Sequence, residues 1–166
     1  MDIRLARLKD LAERRNVRLA VAESISCGRV QSLIGSVEGI SSIFVGGVTA
    51  YTLQSKVSLL GIDSKHAEEC DCVSEIVAEQ MARGIACALG ANLAVATTGY
   101  ASREHGDPSA FCCAWYLMKS GRVVVKKSRV GGPSLTRVQM QEKVANEAID
   151  LLLACLDAES SGEASD

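Results

Sequence analysis

Hydrophobic positions recur along the chain with two different spacings, one typical of helices and one typical of strands. Near the start, Leu5, Leu8 and Ala12 fall at helical spacing among charged residues, which predicts an amphipathic helix over 2–16. Short apolar runs bounded by turn residues predict strands. Such strands are expected over 17–22, 42–51, 92–99, 110–118 and 122–130. Helical spacing returns over 29–37, 53–60 and 74–89, and again from 133 to about 156.

The order of these elements predicts an α/β fold. Three strands alternate with helices, and Lys119-Ser120-Gly121 joins the last two strands, which favours an antiparallel hairpin. Helices covering both faces would give a three-layer α/β/α sandwich with a mixed sheet of about five strands. Gly46 and Gly47 predict a bulge or a close backbone approach in the second strand. We expect one domain over 1–156 and a disordered polar tail over 157–166.

Composition and charge narrow the classes of partner. The 166 residues are 48% hydrophobic, which suits one domain with one core. A net charge of −2, with both signs mixed along the chain, provides no basic surface for nucleic acid or for an anionic membrane. No apolar segment approaches the roughly 20 residues of a membrane helix, and the first residues lack the apolar centre of a signal peptide. We therefore expect a cytoplasmic protein with no nucleic-acid or membrane partner.

Cysteine usage indicates reduced thiols. The chain has seven cysteines, an odd number, and no secretion signal, which argues against a disulfide framework. His66, Cys70 and Cys72 could supply soft metal ligands, but a single C-x-C lacks the second pair of a structural zinc site. A polar loop is the favoured interpretation of this segment, and we expect neither a metal nor a cofactor.

Several polar residues lie at or just beyond the carboxyl ends of predicted strands. In open α/β sheets, ligands bind beyond the carboxyl ends of the strands. Ser24 follows the first strand, Tyr51 follows the second, and Thr98 and Gly99 end the third. Lys56 lies about one helical turn beyond Tyr51. Ser24 has two interpretations at this point, a helix N-cap or a residue of an active site.

The histidines do not complete a serine hydrolase triad. The chain has only His66 and His105, and neither is next to the end of a predicted strand. A buried lysine with a lowered pKa can replace histidine as the base that takes the serine proton. Lys56 could act in this way on Ser24, although most lysines are simply solvated on a helix surface. The residues alone therefore predict an α/β ligand-binding domain, with a hydrolase as one option.

Four motifs occur in a fixed order: "AESISCG" at 22–28, "YTLQSKVSLLGI" at 51–62, "CVSEIVAEQMARG" at 72–84 and "TTGYASR" at 97–103. With these motifs the chain, from Leu8 to Leu156, resembles the CinA C-terminal domain family, the nicotinamide mononucleotide deamidases. The family form of the first motif, A-E-S-C-T-G-G, differs here at Ile25, Ser26 and Cys27.

The resemblance implies a homodimeric three-layer fold that hydrolyses the amide of a small nucleotide to a carboxylate and ammonia without a metal. It implies that Ser24 is the nucleophile, that Lys56 is its base, and that Tyr51 orients them. An oxyanion would also need hydrogen-bond donors. The candidates are the backbone N–H groups of Ser26, Cys27 and Gly28.

The chain departs from the family pattern in its later loops. Residues 102–115 replace a glycine-rich stretch, Leu53 replaces an asparagine, and Pro133 stands where the family has the arginine of G-D-R. Arg103, His105 or Arg137 could compensate, and we expect Thr98, Gly99, Arg103 and Arg137 to contact the substrate.

Three functions remain open from the sequence. The favoured function is an amidohydrolase, because both Ser24 and Lys56 are present. The alternatives are an inactive paralogue that acts as a dimeric ligand-binding or regulatory module, and an enzyme that uses the Cys27 thiol, whose pKa a helix N-terminus can lower.

Overall fold

The structure, a computed structural model, describes residues 2–102 and 106–160 and contains one mixed sheet of five strands in the order β2-β1-β3-β4-β5. The strands are β1 (Leu19–Glu23), β2 (Phe44–Thr49), β3 (Leu93–Tyr100), β4 (Ser109–Leu117) and β5 (Val123–Gly131). The first strand pairs in parallel with β2 and β3, whereas β3, β4 and β5 are antiparallel neighbours. The predicted α/β fold with a mixed sheet is confirmed.

Six α-helices surround the sheet in the described ranges. They are α1 (Ile3–Arg14), α2 (Arg29–Gly35), α3 (Leu53–Leu60), α4 (Ser64–Glu69), α5 (Glu75–Leu89) and α6 (Arg137–Ser160). The helices α1, α2 and α6 contribute to the apolar core on one face of the sheet, and α3 and α5 contribute to a second core on the other face. None of these helices is long and apolar enough to cross a membrane.

Residue size differs between the two faces of the central strands. Along β1, Leu19 and Val21 enter the core beneath α6, while Ala20 and Ala22 enter the core beneath α5. Because successive side chains point to opposite faces, small residues at alternate positions let α5 approach the sheet closely. Every residue of β1 is buried, as expected for a central parallel strand.

The predicted irregularity in β2 is confirmed. The register with β1 shifts between Leu19 and Ala20, which pair with Phe44 and Gly46 respectively. A Cβ on Gly47 would lie 2.5 Å from the Val21 carbonyl oxygen, so the backbones approach too closely there for a side chain.

Two helices differ from the sequence pattern. Helix α4 was not predicted, because Ala67 is its only buried residue and a single apolar position has no period. Asp63 caps this helix by accepting from the His66 N–H at 2.9 Å. Helix α6 begins at Arg137 rather than at 133 and continues to Ser160. The predicted boundary at 156 was too early, because Asp157 extends the helix and pairs with Arg7 at 2.7 Å. The rest of the predicted tail, 161–166, lies outside the described residues.

Candidate active site

A cleft of about 420 Å³ opens at the carboxyl ends of β1 and β3, at the edge of the sheet where a ligand site was predicted. Six of the predicted site residues line it: Ser24, Tyr51, Lys56, Thr98, Gly99 and Arg137. The side chains of Ser24, Lys56 and Thr98 are almost fully buried, while Tyr51 is 53% exposed. Arg103 and His105 lie outside the described residues.

The structure brings Ser24 and Lys56 together. The Lys56 Nζ lies 3.0 Å from Ser24 Oγ and also donates to the Tyr51 carbonyl oxygen at 3.1 Å. Local structure fixes the lysine: Thr52 and Ser55 form a reciprocal cap at the start of α3, which sets Lys56 in the first turns of that helix. The two groups are within the range that a proton transfer requires.

Burial changes the chemistry of Lys56. Only 2% of its surface is exposed, so the interpretation of Lys56 as an ordinary solvated lysine is wrong. Desolvation lowers the pKa of the amine, because burial penalises the charged form, while Cys72 and Asp71 oppose this shift. A lowered pKa favours the neutral amine, which is the form that can accept a proton.

Ser24 is not the cap of α2. The N-cap position belongs to Gly28, and the Ser24 N–H donates to the Thr97 carbonyl oxygen at 3.0 Å. The first-turn N–H groups of Val30 and Gln31 instead donate to the carboxylate of Glu23, at 3.2 and 2.9 Å. The N-cap interpretation of Ser24 is therefore wrong, and its hydroxyl faces the cleft.

Glu23 organises the turn that follows β1, a role that the sequence analysis did not assign. Its carboxylate is completely buried and accepts from Ser26 Oγ at 2.6 Å and from the Gly28 N–H at 2.8 Å. Ser26 Oγ also lies 2.7 Å from Thr97 Oγ1. The Gly28 N–H, which the sequence predicted as an oxyanion donor, is therefore engaged by Glu23, and the Ser26 hydroxyl is engaged within the protein as well.

Among the described residues, Ser26, Cys27 and Gly28 do not line the cleft. The Cys27 thiol is exposed, and its backbone has φ 51°. A reaction at Cys27 would therefore take place outside the cleft that contains Ser24 and Lys56.

Tyr51 and Arg137 form one wall of the cleft. Arg137 Nη2 donates to the Tyr51 hydroxyl at 2.7 Å, which joins the segment between β2 and α3 to the first residue of α6. The cleft thus contains a guanidinium, although Pro133 occupies the position where the family pattern has its arginine.

Thr98 and Gly99 line the cleft through β3, but both have clear structural roles. Thr98 Oγ1 donates to the Cys72 carbonyl oxygen at 2.7 Å, which ties the strand to the loop before α5. A Cβ on Gly99 would overlap the backbone of Ser109, so the glycine is required for the pairing of β3 with β4.

Comparison with known proteins assigns the family. The CinA C-terminal domain model matches residues 4–156. The chain belongs to the CinA C-terminal domain family. It is 35% identical over 159 residues to a CinA-like protein from Mycobacterium marinum, covering 94% of this chain and 36% of that protein. It is 32% identical over 149 residues to a CinA-like protein from Kosmotoga olearia, covering 89% and 35%. The chain thus spans about a third of the length of these curated relatives.

Solved structures confirm the fold of this CinA domain. A CinA superfamily protein from Klebsiella pneumoniae matches with a TM-score of 0.80 at 21% identity, covering 93% of this chain and 96% of that one. The competence/damage inducible protein CihA from Agrobacterium tumefaciens matches with a TM-score of 0.81 at 23% identity, covering 93% of each chain.

Asp71 and Tyr100 form a further wall of the CinA-domain cleft that was not predicted from the sequence. The Tyr100 hydroxyl donates to Asp71 Oδ2 at 2.9 Å, and both residues line the cleft. Asp71 and Cys72 have φ of 49° and 59°, in the left-handed region that non-glycine residues rarely adopt. Their position in the chain was the available signal, since residues 71–73 lie just before Ser74, the N-cap of α5, and that helix begins beside the carboxyl ends of the strands.

The predicted polar character of the loop around His66 is partly right. Asp71 and Cys72 form a loop, while His66 lies in α4 and its Nε2 is 3.0 Å from Ser74 Oγ. Within the described ranges, no three His, Cys, Asp or Glu side chains of the CinA domain are grouped as metal ligands.

Proposed function

We propose that this protein is an amidohydrolase that converts nicotinamide mononucleotide, or a related amide, to the carboxylate and ammonia. One observation carries the proposal: a buried lysine amine lies 3.0 Å from a serine hydroxyl in an open cleft. The cleft volume of about 420 Å³ falls within the range of small-molecule sites. Membership of the CinA family and the resemblance of the motifs around Ser24 and Lys56 support the same reaction.

In the first step, the neutral Lys56 amine takes the Ser24 hydroxyl proton while Oγ attacks the amide carbon. The carbonyl oxygen becomes an oxyanion in the tetrahedral intermediate, which hydrogen-bond donors must stabilise. Of the donors predicted for this role, the Gly28 N–H is engaged by Glu23, and the turn at Ser26 and Cys27 lies outside the residues that line the cleft. The intermediate then collapses: the C–N bond breaks, Lys56 returns the proton to the leaving nitrogen, and ammonia departs.

In the second step, water hydrolyses the ester between Ser24 and the substrate. Lys56 takes a proton from the attacking water and gives it to Ser24 Oγ as the C–O bond breaks. The product is the carboxylic acid, which ionises at neutral pH, and the enzyme returns to its starting state. The same lysine therefore serves as base and acid in both halves of the reaction.

Arg137 supports a nucleotide as the substrate. Its guanidinium lines the cleft and is fixed against the Tyr51 hydroxyl, so it can bind a phosphate through two parallel hydrogen bonds. This contact would supply the charge that Pro133 cannot.

We further propose that the protein works in the cytoplasm, where its cysteines stay reduced; all seven are free thiols.

The proposal is tested by ammonia release from nicotinamide mononucleotide. We expect Ser24→Ala and Lys56→Ala each to lower kcat by about a thousandfold or more, and the double variant to lose little beyond either single change, because the two residues act as one unit. Cys27→Ala is the matched control, since its thiol lies outside the cleft, and it should keep the activity of the unmodified protein.

Three results would contradict the proposal. If Ser24→Ala retained turnover and Cys27→Ala lost it, the thiol would be the nucleophile. If no ammonia were released from this nucleotide or related amides although one of them bound, the protein would be a ligand-binding or regulatory module. If the double variant lost the product of the two single losses, Ser24 and Lys56 would act independently.

A further inference from the structure

We propose that Asp71 is a specificity-determining residue whose carboxylate binds a positively charged heteroaromatic ring of the substrate. The inference deepens the proposed function and rests on it, because it assigns the ring of the substrate to a particular wall of the same cleft. Asp71 lines this cleft together with Ser24 and Lys56. The nicotinamide ring of the proposed substrate carries a permanent positive charge on its nitrogen.

The backbone of the Asp71 loop is held in a defined position. Asp71 and Cys72 both adopt the left-handed conformation, which costs free energy for residues other than glycine. Hydrogen bonds compensate for this cost: the Cys72 N–H donates to the Ala67 carbonyl oxygen at 2.7 Å, and the Cys72 carbonyl oxygen accepts from Thr98 Oγ1 at 2.7 Å. The loop is thus attached both to α4 and to β3.

The carboxylate itself is oriented by Tyr100. The Tyr100 hydroxyl donates to Asp71 Oδ2 at 2.9 Å. Burial and the neighbouring carboxylate raise the pKa of Tyr100 to about 12, so this hydroxyl keeps its proton at neutral pH. In the part of the chain that the structure describes, Asp71 forms no ion pair with a lysine or arginine. No lysine or arginine of the described ranges is therefore paired with this carboxylate in place of a ligand.

Asp71 and Arg137, which carry opposite charges, line the cleft from elements on opposite faces of the sheet. Asp71 precedes α5, which packs on one face, and Arg137 begins α6, which packs on the other. The site therefore suits a substrate with a cationic ring at one end and an anionic group, such as a phosphate, at the other. The Asp71 carboxylate raises the pKa of the Lys56 amine. A cation bound beside Asp71 would counteract this increase in the Lys56 pKa. Binding of the correct substrate would thus favour the neutral amine.

Two forms of the same nucleotide test the assignment. Nicotinamide mononucleotide has a cationic ring, and its reduced dihydropyridine form has a neutral ring with the same amide, ribose and phosphate. Calorimetric titration of the Ser24→Ala protein measures binding of each without turnover. We expect the added change Asp71→Asn to weaken binding of the cationic form about fivefold and to leave the neutral form within about twofold, as for a partly exposed ion pair.

The substitution to asparagine preserves the backbone, because asparagine, like aspartate, tolerates the left-handed conformation. The matched control is Glu69→Gln, which removes the same charge from an exposed residue of α4 outside the cleft. It should change neither titration. Equal weakening of both forms by Asp71→Asn, or no weakening of either, would overturn the inference.

The binding titrations and the ammonia assay distinguish failure of this inference from failure of the proposed function. If the cationic form bound through Asp71 but the unmodified protein released no ammonia, the inference would stand and the amidohydrolase would be wrong. If neither nucleotide bound, 1-methylnicotinamide and neutral nicotinamide would be compared on the unmodified protein. A preference for the cation that Asp71→Asn removes supports the inference without a nucleotide substrate, and the absence of a preference overturns it.

Discussion

Lys56 is the residue whose chemistry depends most on the fold around it. Burial lowers the pKa of its amine below the ordinary value of 10.5, and the proposed reaction needs the neutral amine. We therefore expect kcat/KM for ammonia release to rise with pH and to reach half its maximum below the ordinary lysine pKa. Below that midpoint, Lys56 is protonated and cannot accept the Ser24 proton.

The carboxylate of Asp71 provides a control for this pH profile. Since Asp71 raises the pKa of Lys56, Asp71→Asn should move the midpoint to lower pH. Glu69→Gln, which changes the same charge outside the cleft, should leave it in place. A profile that is flat, or one whose midpoint equals that of a solvated lysine, would show that Lys56 is not the base.

Site residues at the ends of strands could be predicted from the sequence, whereas the residues that hold the surrounding loops in place could not. Ser24, Tyr51 and Thr98 line the cleft because the carboxyl ends of strands form one edge of a sheet. Glu23 and Asp71 could not be assigned in this way. The role of Glu23 depends on N–H groups up to eight residues further along the chain, and the role of Asp71 depends on a contact with Tyr100 across 29 residues.

Among the helices, the contact between α3 and α5 positions the proposed base. A Cβ on Gly84 of α5 would overlap the carbonyl group of Leu60, the last residue of α3. We expect Gly84→Ala to lower the free energy of unfolding by about 1–3 kcal/mol, as overpacked sites do, and to reduce ammonia release by moving α3 and Lys56 away from Ser24. Urea unfolding and the ammonia assay measure the two effects.

Gly35→Ala is the matched control for this change. Gly35 ends α2, and a Cβ there would meet no atom within 4 Å. The control should change the free energy of unfolding by no more than about 0.5 kcal/mol and leave activity intact. If Gly84→Ala likewise changed neither the free energy of unfolding nor the release of ammonia, the close packing of α3 on α5 would not determine the position of Lys56.

Elements with a strong apolar period were predictable, and those without one were not. The long amphipathic α5 and the two-faced β1 follow directly from their sequence patterns. Helix α4 has one buried residue, and the end of α6 depends on the distant partner Arg7. Periodicity reports what is buried, so it does not reveal a helix that buries little.

Assembly of the protein depends on which apolar surface the single chain leaves uncovered. The resemblance to the CinA family implies a homodimer, and the apolar hairpin of β4 and β5 is the first place to look for its surface. Within the hairpin, Cys112, Cys113 and Tyr116 are buried in the single chain. Part of the hairpin remains uncovered: Leu117 and Val123 are paired across the strands and are 38% and 47% exposed.

This uncovered strip includes the neighbouring pair Trp115 and Val125, which lies on the same face of the hairpin and is only partly buried against the α5 core. Four adjacent apolar side chains at the open edge of a sheet are a candidate surface for a second copy of the chain.

We predict a homodimer in sedimentation experiments at micromolar concentration. The double variant Leu117→Lys, Val123→Lys should shift it to monomer, because two buried ammonium groups would be unpaired in the interface. Ile3→Lys, which changes an 82% exposed residue of α1, should leave the dimer unchanged. A monomeric unmodified protein would exclude the assembly, and a dimer that resists the double variant would exclude this surface.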